Sequence, residues 1–162
     1  MSESYPPYEK GPVVIDIDGT LCPVKAPDGN YAHLQPNVAV VARIKELSAA
    51  GFGIVLFTSR NMRTYQGSLG RINKNTAPVL LEWLERWGIP YDEVHFGKPW
   101  PGRDGYYVDD RAIRPSEFVS MNSDEIADLL SAESKPILQG DFWSSKPLTI
   151  VVTMAGLGSR FK

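Results

Sequence analysis

The sequence predicts an α/β fold in which a central parallel sheet is covered by helices on both faces. Short apolar runs rich in β-branched residues alternate with segments whose apolar residues recur at helical spacing. The runs over residues 13–17 and 52–57 are nearly continuous in apolar residues, which is typical of strands buried on both faces. A length of 162 residues suits one domain with room for a short additional segment.

Each element has its own local signal. Four strands are predicted, over residues 13–17, 52–57, 94–96 and 106–108. Three helices are predicted, over residues 37–50, 76–87 and 122–132. Asn37 and Thr76 are candidate N-caps of the first two helices, and Gly51 and Gly88 follow their ends. Residues 60–75 are polar and predict a long loop. The alternation predicts a Rossmann-like three-layer sandwich.

The chain divides into four segments. Residues 1–12 are polar and proline-containing and predict a flexible arm, with no apolar core of a signal peptide. Residues 13–133 form the predicted domain, and residues 134–147 form an irregular linker. Residues 148–162 contain a new apolar strand followed by a glycine-rich loop, and we interpret them as the truncated start of a second domain.

Composition excludes several classes of function. The net charge of -2 provides no basic field for nucleic acid, so no nucleic-acid partner is expected. No apolar run approaches the ~20 residues that span a bilayer, so no membrane partner is expected either. Cys22 is the single cysteine, which excludes an intrachain disulfide and favours a reducing, cytoplasmic location.

Polar side chains follow all four predicted strands. Asp16 and Asp18 end the first strand, Thr58 follows the second and Lys98 follows the third. Asp109 and Asp110 follow the fourth strand and form a second carboxylate pair. Because ligands bind beyond the carboxyl ends of parallel strands, these side chains are expected to share one site.

These residue types suit phosphoryl transfer. Two neighbouring carboxylates repel each other unless a cation lies between them, and Mg²⁺ prefers such oxygen ligands. Lys98 and Thr58 can hold the phosphoryl oxygens, and Gly19 and the backbone N–H of Ser59 allow an anion to approach. A carboxylate nucleophile would form an aspartyl-phosphate, and a protonated Asp18 would supply the leaving group's proton.

The order Asp16-Ile17-Asp18-Gly19-Thr20, then Thr58, then Lys98, then Asp109-Asp110 resembles the haloacid dehalogenase superfamily. The resemblance implies a phosphoric monoester hydrolase with Asp16 as nucleophile, Asp18 as acid/base, and Thr58 and Lys98 on the phosphate. It implies Mg²⁺ bound by Asp16, the main-chain carbonyl of Asp18 and the acidic pair. Within the pair, Asp110 would be the direct ligand, and Asp109 would act indirectly, without touching the metal.

The pattern over residues 107–115 is similar to that of small capsule-biosynthesis phosphatases of this superfamily. The gaps over residues 19–36 and 98–106 are too short for a large cap domain, so the resemblance implies a capless member with an open site. The substrate would be a small phosphorylated metabolite, such as a sugar phosphate. Apart from the resemblance, four loop arginines are candidates to bind a second anionic group of the substrate: Arg60, Arg63, Arg71 and Arg103. Arg60 is the best candidate because it follows Thr58 and Ser59, and Trp100, beside Lys98, is a candidate to stack on the substrate.

The tail resembles a different family. The strand and glycine loop ending at Arg160 are similar to the opening of a sugar nucleotidyltransferase, which implies a fusion protein that handles activated sugars. Two other functions stay open: a phosphotransferase or phosphomutase with the same nucleophile, and a non-catalytic module of the fusion. An open site and an exposed tail strand are compatible with a homodimer.

Overall fold

The computed structural model describes residues 8–133, and they form an α/β fold around a three-stranded, open, parallel sheet. The strands are β1 (Lys10–Ile15), β2 (Phe52–Thr58) and β3 (Glu93–Phe96), in the order β1-β2-β3. Ile15 pairs with Leu56, and Thr58 pairs with Phe96, so the carboxyl ends of all three strands meet at one edge. The predicted linker and tail, residues 134–162, lie outside the described residues, as do residues 1–7 of the predicted arm.

Helices and one 3-10 turn connect the strands or follow the last of them. The 3-10 turn is Tyr31–His33, and the α-helices are α1 (Val38–Ala49), α2 (Leu69–Asn75), α3 (Ala77–Arg86), α4 (Pro115–Ser120) and α5 (Ser123–Glu133). Asn37 caps α1 as predicted, because its side-chain oxygen accepts a hydrogen bond from the backbone N–H of Val40. Within residues 8–133 the helices are all too short or too polar to cross a bilayer.

The core lies between β2 and the helices α1 and α3. It contains Ile54 and Leu56 of β2, Val40 and Ile44 of α1, and Leu80, Trp83 and Leu84 of α3. Burying a side chain of this size contributes about 1.5–3 kcal/mol. The indole N–H of Trp83 donates to the carbonyl of Leu34 at 2.6 Å, which ties the loop after β1 to this core.

The polar segment after β2 is more ordered than predicted. Its second half forms α2, which hydrophobic periodicity does not predict because Ile72 is its single buried side chain. Thr76 lies between α2 and α3 and makes no side-chain capping bond, contrary to prediction. Its buried hydroxyl instead accepts a hydrogen bond from the amide of Asn61 at 2.8 Å.

The predicted fourth strand is absent from the described structure. Residues 106–108 have no strand hydrogen bonds, and Tyr106 and Val108 are 81% and 89% exposed. Among residues 8–133 no strand covers the free edge of β1, where Val14 is 60% exposed. Three residues provide few ladder bonds and little burial, so the local pattern alone does not ensure pairing.

Candidate active site

The site lies where β1, β2 and β3 end. The backbone N–H of Lys98 donates to the carbonyl of Thr58 at 3.1 Å, which holds the exit of β3 against the end of β2. The ammonium of Lys98 then reaches across the sheet edge to the Oδ1 atom of Asp16, at 3.0 Å. Three predicted residues from three strand ends therefore lie together as the parallel topology requires.

The turn after β1 carries both acids of the Asp-x-Asp motif. Ile17 is fully buried between them and anchors the turn in the core. Gly19 adopts a φ of +94°, which favours glycine, and the backbone N–H of Gly19 donates to the carbonyl of Cys22 at 2.7 Å. The N–H of Cys22 donates back to the carbonyl of Ile17 at 3.0 Å. This closed turn holds Asp16 and Asp18 at the sheet edge.

Asp16 accepts one hydrogen bond from Lys98, and solvent reaches both side chains. The side chains of Asp16 and Lys98 are 28% and 17% exposed, so a ligand from solvent can reach both. The ring of Tyr107 covers the ammonium of Lys98 at 4.5 Å, and its hydroxyl donates to the carbonyl of Pro99. Burial, with the charge of Asp16 as a smaller cause, raises the pKa of the Tyr107 hydroxyl. The residue Tyr107 was not predicted as part of the site.

Asp18 accepts two hydrogen bonds from a buried arginine, Arg60. The guanidinium of Arg60 donates from Nε to Oδ2 at 3.1 Å and from Nη2 to Oδ1 at 2.8 Å. Arg60 is also stacked on the ring of Tyr31, with its Cζ atom 4.2 Å from the ring centroid. Arg60 is predicted from its place after Thr58 and Ser59 to bind the substrate, whereas the structure pairs it with Asp18.

Cys22 lies beside this ion pair. Its sulfur is 3.5 Å from Nη2 of Arg60 and 3.8 Å from Oδ1 of Asp18. Burial is the main reason that the pKa of the Cys22 thiol rises from 9.0 to about 11, and the charge of Asp18 adds to it. A thiol of this kind is protonated at neutral pH and is a poor nucleophile.

Thr58 combines a structural and a potential binding role. It is 1% exposed, and its hydroxyl oxygen accepts a hydrogen bond from the backbone N–H of Arg60 at 3.0 Å. That bond shapes the turn through Ser59 and leaves the hydroxyl hydrogen of Thr58 able to donate. An anion at this turn would meet a donor hydroxyl on one side and Lys98 on the other.

Trp100 lies in the loop after Lys98 and is 45% exposed. The guanidinium of Arg63 stacks over its ring, 5.8 Å from the centroid. The loop after β2 and the loop after β3 therefore meet at an aromatic and cationic pair. Trp100 is accessible to a ligand, as its predicted stacking role requires.

The predicted metal ligands do not assemble completely. Among residues 8–133 no group of three or more His, Cys, Asp or Glu side chains is placed to hold a metal ion. The Asp18 carboxylate is bonded to Arg60, which leaves the main-chain carbonyl as the ligand that Asp18 would supply, and Oδ1 of Asp109 accepts from the backbone N–H of Arg111 at 2.8 Å. The donor set that Mg²⁺ prefers is therefore incomplete in this arrangement.

Comparison with known proteins identifies a relative of known structure. No protein-family profile matches the chain, and no curated protein matches it either. A crystal structure of a structural-genomics target from Vibrio cholerae is 47% identical in sequence, with a TM-score of 0.73. The match covers 76% of this chain and 99% of that chain, so part of this chain extends beyond it.

The fold and the site define an α/β protein whose polar residues converge at the carboxyl edge of a parallel sheet. At this identity and coverage, the chain belongs to the same family as the Vibrio cholerae protein. That protein is described only as a structural-genomics target, which names no activity.

Proposed function

We propose that the protein is a phosphatase of the haloacid dehalogenase superfamily, with the three-layer fold that the superfamily implies, and that Asp16 is its nucleophile. The observation that carries the proposal is the contact between the Lys98 ammonium and Oδ1 of Asp16, at the edge where Thr58 also lies. A partly exposed carboxylate beside an ammonium and a donor hydroxyl is the set that an aspartyl-phosphate requires.

In the first half-reaction, a phosphate monoester binds with its oxygens on the Lys98 ammonium and the Thr58 hydroxyl. A carboxylate oxygen of Asp16 forms a bond to phosphorus while the bond from phosphorus to the ester oxygen breaks. The leaving oxygen takes a proton from the Asp18 carboxyl and departs as an alcohol. Lys98 balances the charge that develops on the phosphoryl oxygens.

In the second half-reaction, water attacks phosphorus and the bond from phosphorus to Asp16 breaks. The Asp18 carboxylate accepts the proton of that water, which restores the proton that it lost earlier. The products are an alcohol and inorganic phosphate, so the atoms of the ester and one water are accounted for. Asp18 is suited to both steps because it lies two residues from Asp16 on the same turn.

Mg²⁺ remains part of the proposal on the strength of the resemblance. It would neutralise the phosphoryl oxygens, with Asp16 and the carbonyl of Asp18 as two ligands and Asp110 as the third. The incomplete donor set implies that residues 106–110 must lie along the free edge of β1 for Asp110 to reach the site. Among residues 8–133 no strand pairs with that edge, and the contact of Tyr107 with Lys98 brings the segment beside the site, which supports this rearrangement.

We propose a small phosphorylated metabolite, such as a sugar phosphate or capsule precursor, as the substrate, and a cytoplasmic location. The fused nucleotidyltransferase and the homodimer also remain proposals, since residues 134–162 lie outside the described structure. A phosphotransferase is the second candidate because the partly exposed Asp16 would admit an acceptor other than water. Phosphate transfer to an added acceptor, in place of phosphate release, would favour it.

The decisive experiment replaces the nucleophile. Asp16→Asn is expected to abolish phosphate release from a panel of phosphate esters while the far-ultraviolet circular dichroism stays unchanged. The matched control is Asp28→Asn, on an exposed loop, which should keep full activity. EDTA should stop the reaction of the unchanged protein and excess Mg²⁺ should restore it. Undiminished turnover by Asp16→Asn would refute the assignment, and an inactive unchanged protein would favour the non-catalytic module.

A further inference from the structure

Arg60 is the most completely buried charged side chain at the site. Its side chain is 1% exposed, and it joins the turn after β2 to the turn after β1. Nε and Nη2 are both bonded to the Asp18 carboxylate, and Nη1 is buried as well. Nη1 has no hydrogen-bond partner among the described residues and is shielded from solvent, so the bonds that this guanidinium makes to a carboxylate all go to Asp18.

The surroundings of Arg60 hold it in a single orientation. The ring of Tyr31 covers one face of the guanidinium, and the sulfur of Cys22 lies against Nη2. The backbone N–H of Arg60 donates a hydrogen bond to the Thr58 hydroxyl, which restrains the main chain from which the side chain of Arg60 extends. A planar fork with two parallel hydrogen bonds also fixes the plane of the carboxylate that it binds.

The two acids of the motif are therefore held differently. Asp16 has one bond to a flexible lysine chain, and its side chain is the more exposed of the two. Asp18 has two bonds to a rigid, buried partner. A nucleophile must move toward phosphorus, whereas a proton donor works only when its oxygen is already aimed at the leaving atom.

We propose that Arg60 is a positioning residue that aims the Asp18 carboxyl at the leaving oxygen of the substrate. This inference rests on the proposed function, because it assigns Arg60 a role through the acid/base residue. Arg60 touches neither the phosphate nor the leaving group. Its loss removes the orientation of Asp18 and leaves phosphate binding by Lys98 and Thr58 intact.

The test compares two substrates that differ in their need for a proton. An alkyl phosphate has a basic leaving oxygen and requires acid assistance, whereas the leaving group of p-nitrophenyl phosphate departs without it. Arg60→Met is expected to lower kcat for an alkyl phosphate by about 10²-fold, the lower range for general acid catalysis, and to change kcat for p-nitrophenyl phosphate far less. KM for either substrate should stay close to its original value, because Arg60 does not bind substrate.

Three controls separate positioning from damage to the fold. Arg63→Met removes an arginine of the same loop that contacts Trp100, and it should not discriminate between the two substrates. Arg60→Lys keeps the charge with a single point of contact and should recover part of the lost rate. Added guanidinium ion should raise the rate of a small-residue variant, Arg60→Ala, on the alkyl phosphate.

Two kinetic outcomes would overturn the proposal. Equal losses on both substrates would mean that Arg60 only supports the fold. A raised KM with unchanged kcat would mean that Arg60 binds substrate, as the sequence alone suggested.

A second measurement does not depend on any phosphatase activity. Unfolding midpoints of Arg60→Met, Asp18→Asn and the double variant form a double-mutant cycle. The pairing predicts that the double variant loses less than the sum of the single losses. Additive losses would overturn the Arg60–Asp18 pairing, even if the proposed function failed for other reasons. Non-additive losses in a protein without activity would keep the pairing and refute only the reaction.

Discussion

Two regions at the same sheet edge follow the sequence pattern to different extents. The ends of β1, β2 and β3 bring Asp16, Thr58 and Lys98 together as the topology requires. The segment from Pro99 to Arg114 contains no strand, and its acidic pair does not join the other acids. The first region is held by sheet pairing and by buried core residues, whereas the second has no sheet pairing and meets the core through the partly buried Ile113.

The difference shows what positions a functional side chain in this fold. Thr58 and Phe96 are register partners, so a single ladder determines how far apart the residues after them lie. No strand pairing fixes the position of Asp110 in the same way, because Tyr106 and Val108 before it are exposed to solvent and lie outside the sheet. Proximity at the site therefore comes from strand pairing more than from the chemistry of the residues themselves.

The largest expected effect concerns the ordered region. Lys98→Met should lower kcat by about 10²–10³-fold, because it removes a cation aimed at the developing phosphoryl charge. The measurement is steady-state phosphate release at saturating substrate. Lys45→Met is the matched control, since Lys45 lies exposed on α1, and its activity should not change. If the Lys98 variant kept the rate of the control, the cation at Asp16 would have no part in catalysis.

The next effect concerns the region that lacks a strand. If residues 106–110 pair with β1 in the active protein, Asp110→Asn should weaken Mg²⁺ binding by about 10–100-fold, and Asp109→Asn should weaken it less. The measurement is the Mg²⁺ concentration that gives half-maximal activity. Asp104→Asn, an exposed acid of the same segment, is the control. Identical Mg²⁺ requirements in all three variants would exclude the acidic pair from the site.

The sequence identified the ordered part of the site because its strands are strongly apolar and end at polar residues. The strands predicted before Asp16 and Thr58 are confirmed, with their ends shifted by at most three residues. The prediction missed α2, because Ile72 is the single buried side chain of that helix. It also missed the Arg60–Asp18 pair, because residues 42 positions apart leave no periodic signal in the sequence. It predicted a strand over 106–108 from local pattern alone, and pairing depends on non-local contacts.

A smaller effect tests the boundary between the two regions. Gly97 follows β3 with a φ of +94°, and a Cβ atom there would lie 2.7 Å from Cδ2 of Leu69. Gly97→Ala should therefore lower the free energy of unfolding by about 1–3 kcal/mol through backbone strain and overpacking. Urea unfolding measures it. Gly70→Ala, where a Cβ meets open space within α2, should instead raise stability by up to about 1 kcal/mol. Equal effects of both changes would mean that the chain after β3 is not constrained.

The smallest effect is chemical and lies within the ordered region. Burial raises the pKa of the Cys22 thiol to about 11, so the folded protein keeps this proton at a pH where the unfolded chain, near 9.0, loses it. The unfolded state then binds fewer protons, and stability should fall as the pH rises from 9.0 toward about 11. Urea unfolding over this range should show the decrease, and Cys22→Ala should remove the share that belongs to the thiol. Iodoacetamide should label Cys22 slowly in the native protein and quickly in urea. Rapid native labelling would mean that the Asp18–Arg60–Cys22 cluster opens to solvent, and that this side of the site is no better ordered than the segment after Lys98.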